Sequence, residues 1–290
     1  MSRQNYYARR KERRRGQVDG SLIEHLVQRE RQVQPRIGGR KLHRVLAKEL
    51  AEADIHLGRD RFFKVLGERK LLLERRAAVY PSTTDSSHYL PVFSNRIKDR
   101  QLNGPNQVWV SDLTYLRSVE GFVFLALITD KWSRKVVGHH CAESLHAEGC
   151  LNALEVALGS LPSQAKPIHH SDRGSQYCCH SYVNRLVERD LSISMTETDH
   201  CAENALAERM NGILKGEYAL DQEFQTREQA RRAADQAVHL YNTRRLHTAL
   251  NYRVPHAVHA AGLEGLVVGA SGSRNTFEPP DDQKQPHHFR

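Results

Sequence analysis

Between residues 108 and 195 the apolar runs follow an order that few folds accommodate. Val108–Leu116, Phe122–Thr129 and Lys135–Cys141 are rich in β-branched and aromatic residues. Only short polar turns join them, Val119-Glu120-Gly121 and Asp130-Lys131-Trp132-Ser133-Arg134. Connections this short predict an antiparallel meander of three strands. The pattern then changes to alternation: a helix over about His146–Leu158, a break at Pro162 and a strand at Pro167–Ser171. A helix over about His180–Arg189, a strand at Leu191–Met195 and a helix opening near Asn204 complete it.

A meander followed by alternating helices and strands gives an α/β fold, a mixed five-stranded sheet flanked by helices, in the order of a ribonuclease-H-like domain. We place this core at residues 105–222, with a helical extension at 223–264 that includes a helix from about Thr226 to Tyr241. Upstream, Ser21 with Glu24 reads as a capping box opening a helix. A second helix is read over Arg40–Glu52, and a third is capped by Asp60, with Phe62, Phe63, Val65 and Leu66 inward and Arg61, Lys64 and Arg69 outward, Arg61 and Lys64 being candidates for DNA contact. These form a small all-α, helix-turn-helix-like unit at 19–76. Residues 1–18 are a basic leader, 77–104 a Ser/Thr/Pro-rich linker, and 265–290 a tail whose composition predicts disorder.

Charge separates the two halves. Residues 1–100 hold 24 Lys and Arg against 12 Asp and Glu, a net of +12, whereas the remainder holds 19 against 22, a net of −3. A basic front joined to a slightly acidic rear predicts a polyanion-binding arm attached to a domain that uses carboxylates. Five cysteines without regular spacing argue against a disulfide framework, and the cluster His169, His170, Cys178, Cys179 and His180 lacks a Cys-x-x-Cys pair for zinc. No apolar run approaches the ~20 residues needed to span a bilayer, and no apolar segment follows the basic start. The expectation is a cytoplasmic, nucleoid-associated protein without a membrane partner.

Three acids stand out against this frame. Asp112 interrupts the apolar run of the first strand, where a carboxylate is costly unless paired or metal-bound. Asp172 follows the fourth strand at the end where α/β sheets collect ligands. Glu208 lies on the last core helix, on a face with Asn211, Gly212 and Lys215 and apart from the apolar stripe of Leu206, Met210, Ile213 and Leu214. Carboxylates delivered to one point repel each other unless a divalent cation lies between them, so the trio predicts a hard-metal site for phosphoryl chemistry.

At these residues the chain resembles the DDE transposases of the retroviral-integrase-like superfamily, and within them the second-reading-frame (OrfB) proteins of the IS-three insertion sequences. Asp172 and Glu208 are separated by 35 residues, the spacing that names the family's pattern. Pro105-Asn106-Gln107-Val108-Trp109-Val110-Ser111-Asp112-Leu113-Thr114-Tyr115 is similar to the first family motif. The second is matched by His170-Ser171-Asp172-Arg173-Gly174-Ser175-Gln176-Tyr177, and the third by Glu203–Lys215. Tyr241–Leu250 with Pro255 resembles the carboxyl-terminal signature, and Arg36–Leu42 the opening of the helix-turn-helix-like segment. Glu203 stands where many relatives have Asp, and Arg209-Met210 replaces a more aromatic pair.

The resemblance implies two Mg²⁺ or Mn²⁺ ions bound by Asp112, Asp172 and Glu208, and metal-dependent nicking and strand transfer on double-stranded DNA, both transposon ends and target. It also implies phosphate contact by Lys215, with Arg245 and His247 as further DNA-backbone candidates. Family members commonly act as a fusion with the first-reading-frame protein, and a homo-oligomer on DNA is expected. Two alternatives remain: a nuclease of the same fold that cleaves without joining, and a non-catalytic DNA-binding regulator of transposition. A Ser-His-Asp hydrolase is disfavoured, because no Gly-x-Ser-x-Gly elbow is present.

Overall fold

The computed structural model describes residues 3–74, 89–197 and 203–270. Its centre is a mixed sheet in which β1 (Val108–Ser118), β2 (Gly121–Asp130) and β3 (Val136–Ala142) form the expected meander. β4 (Ile168–Ser171) and β5 (Ile193–Met195) add to the other side of β1 in parallel, giving the spatial order β3-β2-β1-β4-β5. This is the ribonuclease-H-like arrangement. One addition was not foreseen: β6 (Glu223–Phe224) pairs parallel with Arg117 and Ser118 at the far end of β1. A two-residue strand is too short to carry a periodicity.

Alternation along the strands divides the sheet into two faces. On one, Trp109, Ala126 and Ile128 pack against α5 (Ala147–Gly159) and α7 (His180–Glu188) through Ala153, Leu154, Tyr182 and Leu186, with the single turn α6 (Ser175–Cys178) between them. Gly138 of β3 permits this close approach, since a Cβ there would lie 2.2 Å from the Ala153 carbonyl oxygen. On the other face, Leu116, Val123, Leu125 and Leu127 meet Met210 and Leu214 of α8 (Ala205–Glu217) and Ala234 and Val238 of α9 (Arg227–Thr243). Thr226 caps α9 by accepting a hydrogen bond from the Gln229 amide. Each large apolar side chain buried here contributes on the order of 1.5–3 kcal/mol, so α8 is anchored along most of its length. The last helix, α10 (Pro255–Ala270), carries through residues 265–270, which the sequence assigned to the tail; the rest of that tail lies outside the described residues.

The amino-terminal unit is helical, with boundaries that differ from expectation. α1 runs from Arg3 to Val33, so Ser21 lies inside a helix and does not cap one. Glu24 and Ser21 instead engage Arg69 from the end of α4. The second predicted helix is split at Leu46 into α2 (Gly39–Val45) and α3 (Ala47–Glu52). α4 (Arg59–Glu68) is capped at Gly58, which leaves Asp60 in the first turn, where an acid complements the helix dipole. Ile23, Val27, Leu42, Leu46, Phe62 and Leu66 close a separate small core.

Two further features tie the chain together. Residues 77–88 of the expected linker lie outside the described residues, but 89–104, although irregular, are packed. Leu90 and Phe93 lie against the α5-side core, Ile97 is buried, and the Arg96 amide donates to Ser194 Oγ at 2.8 Å. The helical unit also docks on the end of α8. Glu217 there accepts Lys41 Nζ at 2.8 Å and is clasped by Arg245 through Nε at 2.8 Å and Nη2 at 2.7 Å. Arg36 reaches both Asp221 oxygens at 2.8 Å, and Arg244 pairs with buried Glu30 at 3.2 Å. Among the described residues no helix is long and apolar enough to cross a membrane.

Burial opposes ionisation of Glu217, but Arg245 and Lys41 outweigh it and hold the carboxyl below its ordinary range. Glu217→Ala should therefore cost about 3 kcal/mol in urea unfolding, because it leaves the buried Arg245 guanidinium unpaired. Glu217→Leu combined with Arg245→Met should recover most of that loss. A single variant as stable as the parent would show that the joint contributes nothing.

Candidate active site

The register of the two central parallel strands brings the aspartates level. Val110 of β1 stands opposite His170 of β4, and two more residues along each chain reach Asp112 and Asp172. Asp112 faces α8. Its Oδ2 accepts a 2.7 Å hydrogen bond from Asn211 Nδ2, and its Oδ1 accepts the Leu113 amide at 2.9 Å. Asn204 at the head of α8 donates to the Ser111 carbonyl at 3.1 Å, which pins the start of that helix to the same stretch of β1. Asp172 Oδ1 accepts the Gly174 amide at 3.0 Å as the chain turns into α6. Gly174 has φ −60°, so no left-handed turn requires a glycine there. Its role is space: a Cβ would come within 3.1 Å of Asp172 Oδ1.

Glu208 lies exposed on α8, one helical turn before Asn211. The three acids act on one another. Burial, then the Asp172 charge and, more weakly, Glu208 push the Asp112 carboxyl from an ordinary 3.8 up to about 7, against the opposing bonds from Leu113 and Asn211. A carboxyl this reluctant to ionise, beside a buried Asn211 Oδ1 that has no hydrogen-bond partner among the described residues, matches what a hard divalent cation needs and would relieve. Among the described residues, no three His, Cys, Asp or Glu side chains are gathered tightly enough to close round one ion.

The other predicted residues separate into three groups. Lys215 is 5% exposed, and its Nζ lies 4.3 Å from the centre of the Tyr115 ring. Burial lowers it to about 8, against the pull of the nearby Asp112 charge. Arg61 and Lys64 are exposed on α4, away from the acids in the amino-terminal unit. Arg245 and His247 require correction as DNA-backbone candidates, because both are buried. Arg245 is consumed by Glu217, while His247 Nε2 is hydrogen-bonded to Tyr241 OH at 2.8 Å and its burial lowers it to about 3. A basic residue in a polar motif reads from sequence as exposed; here it closes an internal joint.

The histidine–cysteine cluster is spread over separate partners. His169 Nε2 meets Ser111 Oγ at 2.7 Å and Tyr182 OH at 2.9 Å, whereas His170 Nδ1 meets Ser194 Oγ at 2.8 Å. Burial lowers them to about 3 and about 4, so both are neutral at physiological pH. Cys178 Sγ lies 3.7 Å from Met195 Sδ, and Cys179 bonds within its own turn. Cys201 lies outside the described residues. Asn211 was placed on the correct helix face but given no role. The available signal was its spacing, three residues after Glu208, which puts the two side chains on one side of the helix.

Two models of the integrase core domain match this chain, at residues 103–201 and 189–255. An uncharacterised 31 kDa protein of insertion element IS600 from Shigella sonnei is 37% identical over 216 residues, covering 74% of this chain and 79% of that protein. The transposase InsF of insertion sequence IS3A from Escherichia coli K12 is 38% identical over 143 residues, covering 49% of this chain and 50% of InsF. The chain thus matches about half the length of InsF. Among solved structures, the HTLV-2 integrase catalytic core domain in complex with magnesium aligns with a TM-score of 0.44 at 19% identity, over 55% of this chain and 99% of that one. A chain of the simian T-cell lymphotropic virus intasome in complex with PP2A regulatory subunit B56 gamma aligns with a TM-score of 0.47 at 15% identity, over 87% of this chain and 80% of that one. With both scores under 0.5, the fold assignment rests on the strand order.

Without metal, the folded chain binds the Asp112 proton more tightly than the unfolded chain does. Raising the pH from about 4 through about 7 therefore removes stability. Asp112→Asn should raise the melting temperature of metal-free protein at pH 8, and the gain should vanish near pH 4, where both forms are neutral. Thermal melts at the two pH values test this, and a variant less stable than the parent at pH 8 would refute it.

Proposed function

The chain belongs to the insertion-sequence transposases that carry an integrase core domain, and from that premise we propose that it nicks and joins DNA strands with Asp112, Asp172 and Glu208. The observation carrying this reading is the convergence on Asp112. Strand register levels it with Asp172, and the charges of both other acids reach it. Mg²⁺ or Mn²⁺ held by these carboxylates would supply charge stabilisation for the attacking and leaving oxygens of phosphoryl transfer.

The chain's own residues prepare that site. Asn211 fixes the Asp112 carboxylate by its 2.7 Å bond, so one oxygen is oriented before any ligand arrives. The Gly174 amide does the same for Asp172. Lys215, buried with its Nζ over the Tyr115 ring, offers a cation to a phosphate oxygen that reaches the Asp112 side of the helix. Arg61 and Lys64 present further charge on the helical unit. The substrates are the double-stranded ends of the element and its target, and the assembly on DNA is oligomeric, with the first-reading-frame protein as a fused partner.

Glu208→Gln keeps size and hydrogen bonding while removing charge. It should abolish Mg²⁺-dependent nicking and joining on duplexes carrying the element's ends, with DNA binding and melting temperature retained. Glu203, whose carboxylate already accepts the Glu197 amide, should tolerate the same change. Loss of activity in Glu203→Gln with survival of Glu208→Gln would overturn the assignment, and nicking without joining in the parent would favour the nuclease alternative.

A further inference from the structure

Four cations stand near the acidic site, in the part of the chain whose net charge is −3. Lys131, Arg134 and Lys135 come from the β2–β3 turn, and Arg209 follows Glu208 on α8. Among the described residues, no hydrogen bond or ion pair engages any of these four side chains. Burial disfavours the charge on each of the three turn residues and is the largest effect on each; Arg134 adds to it at Lys131 and Arg209 at Arg134, while Tyr241 and Asp130 at Arg134, and Asp130 at Lys135, offset only part of it. Like charges held together and partly desolvated are unfavourable unless an anion meets them.

The turn that presents them is rigid. Fully buried Asp130 accepts the Ser133 amide and hydroxyl through Oδ1, at 2.7 and 2.6 Å, and the Asn106 amide through Oδ2 at 2.7 Å. Its carboxylate is thereby occupied by neutral donors. Arg134 takes a left-handed φ of 64°, and Tyr241 OH donates to its carbonyl at 2.8 Å. A non-glycine residue in that region is held there by its surroundings.

We propose that the β2–β3 turn and Arg209 form a phosphate-binding surface for the backbone of the duplex that enters the acidic site. The inference rests on the transposase reading and specifies where the catalytic domain holds DNA. The Lys131 amide hangs on the Val108 carbonyl, four residues before Asp112 on β1. At ~3.3 Å per residue this separates turn and acid by about 13 Å, the rise of about four base pairs. Arg209 directly follows Glu208 on α8, and its charge reaches Lys41 of α2. The basic track therefore runs from the acids to the helical unit. A rod with evenly spaced phosphates fits such a track, whereas a compact anion would meet only part of it.

The test is binding of the full chain, carrying Glu208→Gln, to a duplex of about 30 base pairs and arbitrary sequence, followed by fluorescence anisotropy across salt concentrations. Each lost phosphate contact should reduce the slope of log affinity against log salt by about 0.9. Arg134→Gln with Arg209→Gln should thus flatten it by about two units, and the corresponding pair of lysine substitutions should largely restore it. Arg185→Gln with Arg232→Gln removes the same charge from residues already paired with Glu155 and Glu228, and should leave the slope unchanged. Exposed Arg209→Gln alone, with its unchanged circular dichroism, guards against misfolding and should flatten the slope by about one unit. An unchanged slope in the Arg134/Arg209 variants, or equal flattening in the control pair, would overturn the surface. A parent that binds no DNA would instead bring down the transposase reading.

Discussion

Carboxylates brought together in a partly buried place repel one another, and the structure around Asp112 is organised to hold them there nonetheless. The strain is visible in Asp112 itself, whose carboxyl is pushed up to about 7 by burial and by Asp172. Two neutral donors, the Leu113 amide and Asn211, offset part of it. The remainder is sustained by packing elsewhere. β1 pairs with β2 along nearly its whole length and with β4 on its other side, so Asp112 cannot withdraw without dismantling the sheet.

α8 is the second element on which the molecule depends, because it joins three functions along one helix. Its head is fixed to β1 through Asn204, its middle carries Glu208 and Asn211, and its last turn carries Glu217. Apolar burial of Met210, Ile213 and Leu214 sets its rotation, which keeps the acid-bearing side toward Asp112 and turns Glu217 toward Lys41 and Arg245. The helix that carries Glu208 is therefore also the dock for the amino-terminal helices, and a shift at that joint would be felt at Glu208 through a rigid connection.

Much of this was legible along the chain. Short turns predicted the meander, apolar runs placed β4 and β5, and the separation of Asp172 from Glu208 singled out the acids. The errors share a physical cause. Ser21 and Asp60 carry cap chemistry, but a cap forms only where the helix actually starts, and α1 continues through the first while α4 opens at Gly58. Residues 89–104 lack periodicity because Leu90, Phe93 and Ile97 each fill a separate place in the core.

Sequence by itself determined the order of the five main strands and the helices between them, and it offered Asp112, Asp172 and Glu208 as candidates, since periodicity and turn length are local properties. Tertiary structure alone decided which charges are free and which are spent. Arg245 and Arg134 are both arginines in polar, basic runs, yet one is buried against Glu217 and the other stands on a rigid turn with no ion-pair partner among the described residues. That difference depends on carboxylates distant in the chain. Electrostatic partnership acts through space, and only the folded chain brings Glu217 to one arginine while Asp130 is occupied by other donors beside the other.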